Sequence, residues 1–169
     1  MLIVYFSWTG NTRAVAEEVV RNLALHNEVD VCEIQPKKQR GYLGWLLLSL
    51  IPRSRVRIKP SIYDLSGYDL VVLGSPKWAL SCPPVNEYLN RLHGCIGRMA
   101  AVFITYGGFD EKRYLDRLVK ALEKKGLLIS GTLMTRRRSI RNDEYQEDVK
   151  IFCEDLERAA DRKRLIEVA

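Results

Sequence analysis

The chain has 169 residues, 47% of them hydrophobic, and its 27 Lys and Arg against 21 Asp and Glu give a formal net charge of +6. That length and apolar content suit one globular domain over residues 1–169 and exclude a disordered or fibrous class. No run reaches the roughly 18–20 apolar residues of a membrane span, and residue 1 leads into an apolar segment without a basic leader, so an intracellular, cytoplasmic protein is expected.

Leu2-Ile3-Val4-Tyr5-Phe6 is an apolar run suited to a strand buried on both faces, and Val15, Val19 and Leu23 follow at the spacing of an amphipathic helix. Between them, Ser7-Trp8-Thr9-Gly10-Asn11-Thr12 sets hydroxyls and an amide at a helix N-terminus. There the backbone N–H groups lack intrahelical acceptors and the macrodipole favours an anion, so Ser7, Thr9, Asn11 and Thr12 suit a phosphate and Gly10 lets the backbone approach it. A single hydroxyl here is an ordinary N-cap, but four polar residues and a glycine within six positions exceed that need. No Gly-Lys-Ser/Thr follows and Gly-x-Gly-x-x-Gly is absent, so the loop is neither a Walker loop nor a dinucleotide loop.

Residues 29–34 alternate as a half-exposed edge strand does, and Leu70-Val71-Val72-Leu73 is a second buried strand. Pro83-Pro84 opens a helix carrying Val85, Leu89 and Leu92, and residues 100–104 form a further buried strand. After the turn Tyr106-Gly107-Gly108, a helix over about 110–125 points Leu115, Leu118 and Leu122 inward until Gly126 stops it. Residues 127–134 make the last strand, and a helix from about Asn142 carries Val149, Phe152 and Leu156. Such alternation predicts an α/β fold: a parallel sheet covered on both faces, with ligand loops at the strands' C-terminal ends.

Cys32, Cys82, Cys95 and Cys153 are scattered without a Cys-x-x-Cys pair, which suggests neither a zinc site nor a disulfide framework. Cys82 is either a redox-responsive thiol or filler in a tight turn. His26 and His93 read as ordinary helix residues, and no catalytic residue or metal ligand is assigned.

In such a sheet the loops after the first, third and fourth strands meet at the topological switch point. The third-strand loop, Gly74-Ser75-Pro76-Lys77-Trp78-Ala79-Leu80-Ser81-Cys82, puts a large aromatic in a turn. The fourth-strand loop brings Thr105, Tyr106, Gly107 and Gly108 from the other side. Trp78 and Tyr106 taken singly also suit core packing. Together with the phosphate loop they describe a site for a planar ring on a phosphate tether, each stacking contact contributing about 0.5–1.5 kcal/mol beyond area burial.

Ser7-x-Thr9-Gly10-Asn11-Thr12 after a first strand resembles the FMN-phosphate signature of flavodoxins, and Gly74-Ser75-Pro76-x-Trp78-Ala79 followed by Pro83-Pro84 resembles the flavin-stacking loop of flavodoxin-like proteins. The resemblance implies a flavodoxin-like three-layer sandwich with a five-stranded parallel sheet in the order 2-1-3-4-5, holding non-covalent FMN. It places the phosphate on Ser7, Thr9, Asn11 and Thr12, and the isoalloxazine between Trp78 and Tyr106. The cofactor-binding set is then Ser7, Trp8, Thr9, Gly10, Asn11, Thr12, Ser75, Pro76, Lys77, Trp78, Ala79, Thr105, Tyr106, Gly107 and Gly108. The implied function is electron carriage to or from a partner protein. The alternative is an NAD(P)H-dependent FMN or quinone oxidoreductase, associated with a membrane or quinone through residues 41–51.

Three features depart from the family pattern. Carrier flavodoxins are typically acidic, whereas this chain is basic, and Lys77 beside the stacking tryptophan predicts a less negative flavin couple. Where a regular crossover helix is expected, residues 41–51 are apolar nearly all round and are flanked by Lys37, Lys38, Arg40, Arg53, Arg55, Arg57 and Lys59. That segment is read first as a buried crossover helix or a homodimer patch, and second as a peripheral membrane contact or a cap on a quinone site. Finally, Arg136-Arg137-Arg138 with Arg141 is either a solvated face or a site for an acidic partner or the phosphates of NAD(P)H. No recognition motif supports nucleic-acid binding.

Overall fold

A computed structural model of the chain describes residues 1–168, so Ala169 of the expected 1–169 span lies outside the described residues. In chain order the elements are β1 (Leu2–Tyr5), α1 (Asn11–Leu23), β2 (Asp30–Glu33), α2 (Tyr42–Ser49), β3 (Leu70–Pro76) and α3 (Pro83–Arg91). They continue with β4 (Met99–Tyr106), α4 (Glu111–Glu123), β5 (Leu128–Arg136), α5 (Arg137–Arg141) and α6 (Gln146–Val168). The strands form one parallel sheet in the order β2-β1-β3-β4-β5, as the sequence reading expected.

Strand periodicity divides the core into two layers, because successive side chains point to opposite faces of a sheet. Leu2, Val4 and Phe6 face one way with Val71, Leu73, Val102 and Ile104, where Val85, Leu89, Leu115, Leu118 and Leu122 of α3 and α4 cover them. Ile3 and Tyr5 face the other way with Leu70, Val72, Ala101 and Phe103, under Val15, Val19 and Leu23 of α1 and Val149, Phe152 and Leu156 of α6. Burial of each such side chain contributes roughly 1.5–3 kcal/mol, and β1, β3 and β4 have no solvent face to polarise their sequences.

Four expectations need correction. The last strand does not stop near Met134 but runs through Arg136, pairing Thr135 with Thr105 and Arg136 with Tyr106, and a bulge at Ser130, opposite Ala100 and Ala101, advances its register by one residue. Part of the arginine run is therefore strand end and the rest is the short helix α5. The terminal helix begins at Gln146 rather than near Asn142, since Asp143 adopts a φ of 57° and breaks the chain between α5 and α6. His26 and His93 lie just past the ends of α1 and α3, not within helices: His26 is in a turn and His93 pairs with Asp64 in an isolated bridge.

The crossover between β2 and β3 is not a regular covering helix. Of its apolar run only α2 is helical, and only Trp45 and Ser49 of α2 are buried. The remainder has no further helix or strand and includes bends and turns, with Pro36 bridging Ile58.

Gly74 marks the tightest approach within the sheet. A Cβ there would lie 2.2 Å from Cζ of Phe103, whose ring is fully buried. Gly74→Ala must displace that ring, and is expected to lower stability by about 2–3 kcal/mol, read as a reduced denaturation midpoint with an unchanged slope.

Candidate functional site

The C-terminal ends of β1, β3 and β4 converge as the switch-point rule requires, and α2 closes over them to form a cleft of about 420 Å³. Trp8, Thr9, Asn11 and Thr12 line it from the first loop, Pro76, Lys77, Trp78 and Ala79 from the second, and Thr105, Tyr106, Gly107 and Gly108 from the third. Twelve of the fifteen residues singled out from the sequence thus share one cavity wall. Ser7, Gly10 and Ser75 do not line it.

Each of those three has a physical reason for its place. Gly10 is the N-cap of α1 at φ 88°, a left-handed conformation that favours glycine, and it forms the bend that aims α1 at the cleft. Ser75 is an interior β3 residue, and its hydroxyl shares a 2.8 Å hydrogen bond with the phenol of Tyr114 beneath α4. Ser7 is half-buried, but its Oγ is sealed from solvent without any hydrogen-bond partner.

The first loop is poor in internal satisfaction. No side chain caps α1, so its leading N–H groups have no intrahelical acceptor and no cap. Asn11 Nδ2 donates to Thr9 Oγ1 at 3.0 Å, which holds the loop's shape. The Thr12 and Thr105 hydroxyls meet at 2.8 Å in a buried contact that ties the first loop to the fourth strand. A buried hydroxyl without a partner costs about 1–3 kcal/mol, and helix-start N–H groups attract an anion, so the donor set fits a phosphate.

The aromatic end is more tightly backed than the sequence indicated. Trp78 is half-buried, edge-on to Phe6 with ring centroids 5.5 Å apart and tilted against Trp45 at 5.4 Å. Trp78 therefore serves both readings, since it packs on the core cluster and still lines the cleft. Across the mouth, Trp8 stacks on Tyr42 at 6.0 Å with an interplanar angle of 30°.

Five lining residues lie outside the expected cofactor-binding set: Tyr42, Trp45, Leu46 and Ser49 of α2, and Arg137 of α5. Their positions are set by tertiary contacts. Ser49 O accepts hydrogen bonds from Leu80 N at 2.9 Å and Ser81 N at 3.0 Å, which clamps the end of α2 to the Trp78 loop. The arginine run was noticed, but only the added strand residues carry Arg137 to the rim, where a Cβ on Gly107 would lie 3.8 Å from its Cζ.

Lys77 and Arg137 are the charged residues among those lining the cleft, and both are cations. The Lys77 ammonium donates to Phe109 O and lies 5.9 Å from the centre of the Phe109 ring, so it is tethered across the mouth. The turn that receives it is conformationally costly, with Gly108, Phe109 and Asp110 all at positive φ (130°, 71° and 57°). Cys82 is fully buried, and burial pushes its thiol up to about 12, which leaves a packing residue without thiolate reactivity at neutral pH.

The comparisons agree with this architecture. The family model described as Flavodoxin matches residues 1–150. An uncharacterised protein of Archaeoglobus fulgidus is 35% identical over 143 residues, covering 85% of this chain and 90% of that protein. The oxidised Flavodoxin 2 of Bacillus cereus superposes with a TM-score of 0.68 at 20% identity, over 94% of this chain and 97% of that one. A flavoprotein of Lactobacillus acidophilus, solved in complex with FMN, superposes at 0.58 with 19% identity, over 83% of this chain and 95% of that one. With the matched model spanning most of the sequence, the strand order 2-1-3-4-5 and the three converging loops, the chain belongs to the flavodoxin family.

Proposed function

We propose that the chain binds FMN non-covalently in this cleft and acts as a redox protein that exchanges electrons with a partner protein. One observation carries the reading: an uncapped helix N-terminus and the half-buried aromatic Trp78 meet at one cleft, and the loop between β1 and that helix also holds the buried, unpartnered Ser7 Oγ. FMN, when bound, supplies the one- and two-electron chemistry. The leading N–H groups of α1, with Ser7, Thr9, Asn11 and Thr12, hold the phosphate. The Thr12–Thr105 hydrogen bond keeps phosphate loop and ring loop in fixed relation. Trp78, braced by Phe6 and Trp45, and Tyr106 flank the ring and exclude water from it. Lys77 and Arg137 stabilise added negative charge, so this cleft favours a reduced cofactor more than an acidic surround does.

A second reading, an NAD(P)H-dependent reductase of quinones or flavins, draws on the residues that α2 and α5 add. Tyr42, Trp45 and Leu46 give the cleft an apolar wall suited to a planar acceptor, and Arg137 is an exposed guanidinium at the rim, of the kind that grips nucleotide phosphates. Steady-state oxidation of NADH or NADPH by the FMN-loaded protein with a soluble quinone separates the two. Turnover that falls about tenfold or more in Arg137→Gln, equivalent to ~1.4 kcal/mol, supports the reductase. Negligible turnover in the wild-type protein leaves the carrier.

FMN titration of the apoprotein followed by tryptophan fluorescence tests the shared premise. Saturable quenching at micromolar FMN or below is expected, and no quenching would remove the flavin reading. Ser7→Ala is expected to weaken FMN about tenfold while leaving the apoprotein equally stable or about 1 kcal/mol more stable, because it deletes a buried hydroxyl that lacks a partner. Lys77→Gln is expected to lower the midpoint potential by on the order of 50 mV at low salt, and redox potentiometry showing a rise would contradict the assigned role of that charge.

A further inference from the structure

We infer that α2 and its two flanks form a docking surface for an anionic lipid membrane, with the exposed side of α2 entering the headgroup region and a basic pocket beside it receiving lipid phosphate.

The two arms of the crossover run antiparallel: Lys37 N donates to Arg57 O at 2.9 Å and Lys59 N to Gln35 O at 2.7 Å. That pairing draws Lys37, Lys38, Arg40, Arg55 and Arg57 around a second cavity of about 420 Å³, completed by Leu48 and Val56. All five cations are exposed, and none has a carboxylate partner among the described residues. Residues 34–63 contain no Asp or Glu at all.

Beside this pocket, Leu43, Leu47 and Ile51 are 71%, 65% and 56% exposed, whereas Trp45 is 2% exposed. The leucines are held outward. Ser49 O is fixed by Leu80 N and Ser81 N, Ser54 Oγ donates to Leu48 O at 2.6 Å, and Asn86 Nδ2 donates to Ser54 O at 2.8 Å, so α2 cannot roll to bury them without breaking these bonds.

Charge selects the occupant. A two-fold dimer through this face would set each cluster of cations near its own copy, and like charges disfavour that contact. A plane of anionic lipid satisfies both halves, phosphates for the cations and the acyl boundary for the leucines. Eight residues of helix span only about 12 Å, and no helix among the described residues is long and apolar enough to cross a membrane, so the element lies on the surface. Tyr42 and Leu46 of the same helix line the cleft, so docking places the cleft mouth near the lipid.

Co-sedimentation of the full chain tests this with phosphatidylcholine vesicles, with and without about 30% phosphatidylglycerol, at low and high salt. Expected is binding to the anionic vesicles, at least tenfold weaker to pure phosphatidylcholine and at high salt. Arg55→Gln with Arg57→Gln should weaken it about 30-fold, from ~5-fold per cation near such a surface. Leu43→Ser with Leu47→Ser, both at exposed positions, should weaken it at least tenfold. Lys112→Gln with Lys120→Gln on α4 makes the same change of net charge elsewhere, and should cost less than about twofold. No binding to anionic vesicles overturns the proposal. So do binding unaffected by either α2-region pair, an equal loss in the α4 pair, and a solution dimer that the leucine pair dissolves. FMN is not needed for this measurement, so its failure leaves the cleft reading untouched.

Discussion

Strands β1, β3 and β4 are buried on both faces, and the need to cover those two faces organises the rest of the molecule. Helices must lie above and below such a sheet, each crossover between parallel strands must return over it, and the connecting loops collect at its ends. The chain reverses direction of travel across the sheet between β1 and β3, so the loops after them part to opposite faces and leave a crevice that β4 extends. The cleft is therefore a consequence of strand order before any side chain is considered.

In the loop after β1 the chain leaves polar groups unsatisfied. The leading N–H groups of α1 are uncapped, and Ser7 Oγ is buried without a partner, although an Asp or Ser at the cap position would have been a common remedy. Gly10 supplies the left-handed bend instead of a cap. Nearby hydroxyls are spent on geometry: Thr12 on Thr105 and Ser75 on Tyr114. Stability is thus given up at the first loop, and recovered in contacts that fix that loop and the neighbouring strand.

The β2–β3 crossover has a different logic. Its one buried aromatic, Trp45, packs on Phe6 and Trp78 and so braces the Trp78 loop from behind. On α2 itself Tyr42, Leu43, Leu46 and Leu47 are exposed, and the charges of residues 34–63 are all positive. An element needed only to cover the sheet would bury its leucines, as α3 and α4 do. Here one short helix serves as cleft wall on one side and as outward surface on the other.

How much was legible varied with the range of the interactions involved. The buried strands, the amphipathic helices and the phosphate loop are local patterns, in which neighbouring residues share one periodicity or one turn, and the order of elements together with family likeness led to the sheet order. The bulge at Ser130 was not legible, because an extra residue in one strand is defined only by its partner strand, and the end of β5 beside Tyr106 of β4 was not legible for the same reason. Which residues α2 contributes to the cleft was hidden for the same reason: its apolar composition was read first as burial or a dimer patch and second as a membrane contact or a cap on a quinone site, and the clamp from Leu80 and Ser81 onto Ser49 helps fix which side faces in. Ser75 shows the limit from the other direction, since a hydroxyl within a ligand-loop motif was spent on Tyr114, nearly forty residues away along the chain. By itself the sequence determined most of the elements and the chemical character of the three loops, because these rest on spacing along the backbone, and its motifs carried the resemblance to the family. Which residues share the cavity, and which polar atoms are left without partners, was decided only by the tertiary structure, because burial and hydrogen-bond satisfaction depend on what distant segments bring to the same place.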